Sequence, residues 1–173
     1  MIEFTLKSAY NSAKNKENIF FGVVDQNYEN QRELIKTLNF SEQIRYCHTF
    51  PDDTLGVSWA RHLVFSLYDN EEYFLQVDSH TYFEENWDEN LINQYEVLLK
   101  KSQKPIISTY PYGFSLDEYG EVIYKKPSGK SVLVLRPKEE CTLSKDSFVL
   151  QFRAKHITSN EAITGCHIRS EER

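Results

Sequence analysis

Two short apolar runs in this chain each end on an acid. Residues 19–24 (Ile-Phe-Phe-Gly-Val-Val) lead into Asp25, and residues 73–77 (Tyr-Phe-Leu-Gln-Val) lead into Asp78. A continuous apolar run of this length is the mark of a strand buried on both faces, as in a parallel sheet covered by helices. Residues 44–47 and 105–109 read as two further strands. Between them lie apolar groups at helical spacing: Phe4, Leu6, Ala9, Tyr10 and Ala13, then Leu34, Ile35 and Leu38. A third stripe carries Ala60, Leu63, Val64 and Leu67 behind Ser58 as cap, and a fourth carries Leu91, Ile92, Tyr95, Leu98 and Leu99. Lys100 and Lys101 stand near the end of the fourth, where cations suit the helix dipole. Alternating helix and strand predicts an α/β fold with a mainly parallel sheet.

Beyond Pro111 the pattern changes. Residues 121–124 and 131–135 read as strands, with Pro127-Ser128-Gly129 as turn chemistry between them, which predicts a hairpin-like pair. Residues 148–152 read as one more strand. The expectation is a single domain over 1–173 with an insertion-like β region at about 112–145.

Composition removes several classes. At 40% hydrophobic the chain has enough apolar material for a core, which excludes a disordered chain. No apolar run approaches the ~18 residues of a membrane span, and the N-terminus has no apolar segment of a secretory signal. Cys47, Cys141 and Cys166 form no Cys-x-x-Cys pair, which argues against a disulfide scaffold or zinc knuckle and fits a reducing, cytoplasmic compartment. Eight acids lie between Asp69 and Glu89 with no Lys or Arg among them; the chain beyond Gly120 is more basic. Such a block repels a phosphate backbone unless a cation stands between, so nucleic acid is not an expected partner.

In parallel α/β sheets, ligands bind beyond the carboxyl ends of strands, where Asp25 and Asp78 stand. His80 follows Asp78 by two, and in an extended segment residues i and i+2 share a side. Asp78 and His80 can therefore hold one divalent ion, and an oxygen–nitrogen donor set suits Mn²⁺, with phosphate oxygens and water completing the shell. Taken alone, an Asp-x-His pair serves a helix cap or loop hydrogen bond about as often. His48, His62, His156 and His167 have no partner at ligand spacing; His62 reads as structural, and His167 is the alternative third ligand.

Around this pair the sequence becomes specific. Gly56-Val57-Ser58-Trp59-Ala60-Arg61 precedes Glu72-Tyr73-Phe74-Leu75-Gln76-Val77-Asp78-Ser79-His80, followed by Asn86-Trp87-Asp88-Glu89 and Ile107-Ser108-Thr109-Tyr110-Pro111. In order and spacing this resembles glycosyltransferase family 60, the GlcNAc-transferases related to the cytoplasmic hydroxyproline polypeptide GlcNAc-transferases. The resemblance runs from about Phe4 to His167 and is densest over 56–111. It implies a GT-A-like nucleotide-diphospho-sugar transferase fold, UDP-GlcNAc as donor, a divalent metal (Mn²⁺), and retention at the anomeric carbon. It implies that Asp78 and His80 hold the metal, that Arg61 lies close to the nucleotide, and that the candidate catalytic residues Trp87 and Asp88 lie near the sugar or acceptor. Gly56 and Asp25 are further candidates for the donor side, although family members carry an aromatic or another residue at the latter position. Thr109 and Tyr110 are candidates for the acceptor side.

Each assignment has a plain competitor. Arg61 can pair with an acid on its helix, Trp87 can be core, Asp88 can favour a helix N-terminus, and Gly56 can serve a turn. The expected partners are a nucleotide sugar and a protein or glycan acceptor. The sequence departs from the family at both ends: the opening strand with its Ile-Ala-Ser-Tyr-Arg-Asp-like segment and the later acidic and glycine-rich segments are missing. The expectation is a truncated chain with an unpaired sheet edge, covered in a homo-oligomer or left as a non-catalytic nucleotide-sugar-binding or interaction domain. A metallophosphoesterase also uses Asp-x-His, but its Gly-Asp and Asn-His segments are not in the sequence.

Overall fold

The computed structural model describes residues 1–124 and the backbone of strands at 131–137, 152–158 and 168–171. Helix α1 (Ile2–Ser12) opens the chain. It carries two apolar stripes rather than one. Ile2, Leu6 and Tyr10 repeat every four residues and pack into a core of Val23, Ile35, Leu38 and Phe40. Tyr10 stacks on Phe40 with ring centroids 4.1 Å apart. Ala9 and Ala13 lie one position round and meet Phe83 and Trp87 in a second core, which Ile19, Phe21, Val77 and Leu91 complete. Two small residues let the bulky pair come close. An isolated eleven-residue helix is marginal, so these contacts hold it, at roughly 1.5–3 kcal/mol per large apolar side chain buried.

Strands β1 (Phe21–Asp25) and β2 (Ile44–His48) pair in parallel, from Phe21 opposite Ile44 to Asp25 opposite His48. The short helix α2 (Arg32–Lys36) joins them, as a parallel crossover requires. These elements, α1 and helix α4 (Trp87–Leu99) stand where the periodicity predicts them. The parallel pair differs in one respect. Only alternate residues of β1, Val23 and Asp25, are buried, so β1 has one covered face rather than two.

Helix α3 (Val57–Phe65) begins on Gly56 as cap, not on Ser58. Gly56 has φ +93° and ψ −179°, a conformation L side chains rarely adopt, and it turns the chain into the helix.

The expected strand at 73–77 does not form. Its apolar side chains serve helices instead of a ladder: Phe74 stacks on Phe65 of α3 at 4.9 Å, and Tyr73 meets Tyr95 of α4 edge-on at 5.7 Å. The strand comes later, as β3 (Thr81–Phe83). Residues 105–109 are also irregular; Ile106 is 90% exposed, so nothing covers the side chain that a buried strand would hide.

Strand β4 (Tyr112–Leu116) turns back through Asp117–Gly120 into β5 (Val122–Ile123). Asp117 Oδ1 accepts the N–H groups of Tyr119 (2.9 Å) and Glu121 (2.8 Å), and Gly120 sits at φ +81°. The hairpin therefore joins β4 and β5, because the turn chemistry lies at 117–120. Strands β6 (Ser131–Pro137) and β7 (Phe152–Thr158) pair antiparallel with each other, and β8 (Ile168–Glu171) lies between β3 and β4. The predicted turn at 127–129, the start of the 148–152 strand, Cys141, Cys166 and His167 lie outside the described residues.

The result is a mixed α/β chain with small sheets in the orders β1-β2, β3-β8-β4-β5 and β6-β7. This corrects the mainly parallel expectation: among the described residues, parallel pairing is limited to β1–β2 and β4–β8. The physical reason is the lost strand at 73–77, whose aromatic side chains pack on helices α3 and α4 instead of joining a ladder.

Candidate functional site

Residues 79–88 are fastened along α1 by polar contacts. Thr5 Oγ1 donates to the Ser79 carbonyl at 2.7 Å and accepts the Thr81 N–H at 3.0 Å. Ser8 Oγ accepts the Phe83 N–H at 2.8 Å, and Asn86 N–H donates to the Ser12 carbonyl at 2.7 Å. Trp87 Nε1 donates to the Ala9 carbonyl at 2.8 Å. Together these contacts satisfy backbone groups that would otherwise be stranded beside the core.

Asp78 and His80 lie at the head of this segment. Asp78 is exposed and His80 half-buried, and Ser79 and His80 form a bend rather than a strand. The alternation of a pleated strand therefore does not orient the pair. What fixes their backbone is a set of threonine contacts: Thr81 Oγ1 donates to the Asp78 carbonyl at 2.7 Å, beside the Thr5 contact to Ser79. Among the described residues, no three His, Cys, Asp or Glu side chains gather around one point. A carboxylate and an imidazole alone fit a divalent ion whose remaining positions are filled by ligand oxygens, and do not fit a closed structural site.

Trp87 and Asp88 are buried at the start of α4. Trp87 packs on Phe83 with ring centroids 4.7 Å apart. Asp88 Oδ1 accepts the Lys14 N–H at 2.8 Å, and Oδ2 accepts the Asn15 N–H at 2.9 Å and its amide at 3.1 Å. Burial pushes the Asp88 carboxyl up, but the N–H groups of Lys14, Asn15 and Glu89 and the Asn15 amide outweigh it and hold the group below the usual carboxylate range. Both residues thus fasten α4 to α1.

Asp25 stands at the carboxyl end of β1 and is only 2% exposed. Tyr46 Oη donates to its Oδ2 at 2.6 Å, and the exposed Asn27 amide donates to Oδ1. Tyr46 Oη also accepts the Gln31 N–H at 2.9 Å, and the Arg32 guanidinium lies 5.2 Å from the Tyr46 ring centroid. Burial, then the bond to Asp25, pushes the Tyr46 hydroxyl up to about 12. Sequence reasoning missed Tyr46 and Thr5, because their contacts to Asp25 and Ser79 span 21 and 74 residues and leave no local signal; it missed Thr81 although that residue bonds Asp78 only three positions away.

Arg61 is exposed on α3 and makes no ion pair among the described residues. His62 beside it is also exposed. Among the described residues, no atom would lie within 4 Å of a Cβ on Gly56, so they leave open space at that turn. Thr109 is half-buried and Tyr110 exposed, ahead of β4.

The acidic block is largely occupied. Arg45 pairs with Glu71, lies 3.7 Å from Asp69, and donates to the Leu67 carbonyl at 2.8 Å. The Asp69 N–H, then Arg45, holds Glu71 low against its partial burial. Lys14 pairs with Glu89. A cavity of about 90 Å³ lies between β1, α3 and residues 67–75, around Arg45 and Glu71. It is too small for a sugar nucleotide, whose pockets run to roughly 300–1,000 Å³. No helix among the described residues is long and apolar enough to cross a membrane.

The family model described as Glycosyltransferase (GlcNAc) matches residues 29–158. No curated protein and no solved structure matches the chain. The matched span contains Gly56, Arg61, Asp78, His80, Trp87 and Asp88, and it starts beyond α1 and Asp25.

Proposed function

This chain belongs to the Glycosyltransferase (GlcNAc) family, and from that premise we propose that it moves GlcNAc from UDP-GlcNAc to a hydroxyl of a protein or glycan acceptor, with retention. The same reading makes it a family 60 member with a GT-A-like fold in a single domain, working with Mn²⁺ in the cytoplasm.

The observation that supports it most is the bend carrying Asp78 and His80. It lies within the matched span, its backbone is tied by two threonine hydroxyls, and its carboxylate is exposed to solvent. Sugar transfer makes UDP the leaving group, so negative charge grows on the diphosphate. A divalent ion, when bound, supplies positive charge there. Asp78 and His80 would hold it, and their fixed backbone means little reorganisation at the moment of reaction. Arg61, free of carboxylate partners among the described residues, would bring a second positive charge to the phosphates. Trp87 and Asp88 act on this reading from behind, by fixing the start of α4 beside the donor site. Asp25 would meet the nucleotide through Oδ1, the oxygen that the exposed Asn27 amide covers.

Titration calorimetry with UDP, with and without Mn²⁺, tests the reading together with a UDP-GlcNAc turnover assay. Asp78→Ala is expected to abolish Mn²⁺-dependent UDP binding while the fold survives. Unchanged metal-dependent affinity in that variant overturns the assignment. Binding without turnover marks the chain as a donor-binding module rather than an enzyme.

A further inference from the structure

We propose that Thr5 is a positioning residue for the Asp78–His80 pair, an inference that rests on reading that pair as metal ligands. Thr5 lies on α1, outside the span that the family model matches, and no sequence motif points to it. Its side chain is nearly enclosed, at 7% exposure. Its one hydroxyl accepts the Thr81 N–H at 3.0 Å, so its own proton is directed at the Ser79 carbonyl, 2.7 Å away. Thr81, 3% exposed, repeats the device one residue earlier by donating to the Asp78 carbonyl at 2.7 Å.

Two successive carbonyls inside the Asp-x-His bend are therefore held by buried hydroxyls, and among the described residues no strand ladder supports the bend in their place. The anchor is itself anchored: α1 is bonded to β3 through Ser8 and to α4 through Ala9, and just past its end Lys14 and Asn15 bond Asp88. The consequence is a division of labour. Asp78 is exposed and His80 half-buried, and helix α1 sets the angle at which the backbone presents them. Groups that orient metal ligands typically change metal affinity by 10–100-fold when removed.

Thr5→Val keeps the shape and loses both hydrogen bonds; Thr5→Ser keeps the hydroxyl. Mn²⁺ is titrated into the full chain with UDP present, by calorimetry and by the loss of the free Mn²⁺ paramagnetic signal, for both variants and for Asp78→Ala. Thr5→Val is expected to weaken Mn²⁺ binding about tenfold or more, Thr5→Ser to restore it, and UDP binding without metal to stay unchanged. Wild-type Mn²⁺ affinity in Thr5→Val, with the loss in Asp78→Ala intact, overturns the positioning role and leaves the ligand reading standing. Wild-type affinity in Asp78→Ala overturns both. Should Thr5→Val fail to fold, Thr5→Ala, which also lacks the hydroxyl, takes its place against Thr5→Ser. Weaker Mn²⁺ binding in Thr5→Ala than in Thr5→Ser supports the proposal, and equal affinity in the two overturns it.

Discussion

Asp88 Oδ1 accepts the backbone N–H of Lys14 at 2.8 Å across 74 residues of sequence, and Oδ2 takes the next N–H, that of Asn15, at 2.9 Å. One carboxylate at the start of α4 thus closes the end of α1. It also accounts for the negative charge that the sequence places there without invoking a ligand.

Asp88→Ala takes the acceptor from the N–H groups of Lys14, Asn15 and Glu89, which are only partly reached by water. At roughly 1–3 kcal/mol for each such group, the expected loss is about 3 kcal/mol in urea unfolding. A loss below about 1 kcal/mol would show that the carboxylate is free for another task.

The same contact sets a pH dependence. The folded carboxyl lies below its ordinary 3.8, so its stabilisation is complete above that value and is lost as pH falls through the folded value. Acid unfolding followed by circular dichroism should show this loss in the wild type. Asp88→Asn should flatten the profile in that range, and an unchanged acid limb would contradict the assignment.

Tyr46 acts at the opposite end of the scale. Its hydroxyl is raised from 10.0 to about 12, so the bond to Asp25 contributes fully below pH 10 and is lost as pH rises towards about 12. Tyrosinate absorbance should show a component titrating near 12 that disappears in Tyr46→Phe. The variant should also lose the alkaline step in stability.

Gly56→Ala tests backbone strain alone, because among the described residues a Cβ there meets no atom within 4 Å. At φ +93° the expected cost is about 1–3 kcal/mol, read as a fall in melting temperature. A neutral result would mean that the turn into α3 adapts freely.

Arg45→Met keeps an unbranched stem but removes the guanidinium that lies over the Phe20 ring and bonds Leu67 and Glu71. Because the guanidinium is part-exposed, the expected cost is modest, about 1–2 kcal/mol. Hydrogen exchange should quicken over residues 67–71, and unaltered protection there would refute the role.

Local signals in the sequence locate α1, α2, α4, β1 and β2, because each depends on the spacing of its own apolar residues. The run at 73–77 misleads for a definite reason. Tyr73 and Phe74 are apolar enough for a strand, but Phe65 and Tyr95 take their rings, and no sequence period reports which neighbour an aromatic finds. The turn at 117–120 forms because Asp117 accepts two N–H groups and Gly120 takes a positive φ, a signal that the sequence reading does not weigh; Pro127-Ser128-Gly129 lies outside the described residues.

The site was legible unevenly. The strings from Gly56 to Pro111 carry the GlcNAc glycosyltransferase family, as the match over residues 29–158 bears out. The setting of Asp78 and His80 was not legible, because it depends on Thr5 and on a helix far away in sequence.

The double-striped helix α1 also bears on how the chain acquires its structure. During synthesis its Leu6 stripe can find Val23 and Phe40 early, but the Ala9 stripe meets only Ile19 and Phe21 until Phe83 and Trp87 leave the ribosome. Until then the nascent chain carries an uncovered small-residue groove and a half-built nucleus. Slow translation between residues 40 and 88 would prolong the interval in which chaperones find it.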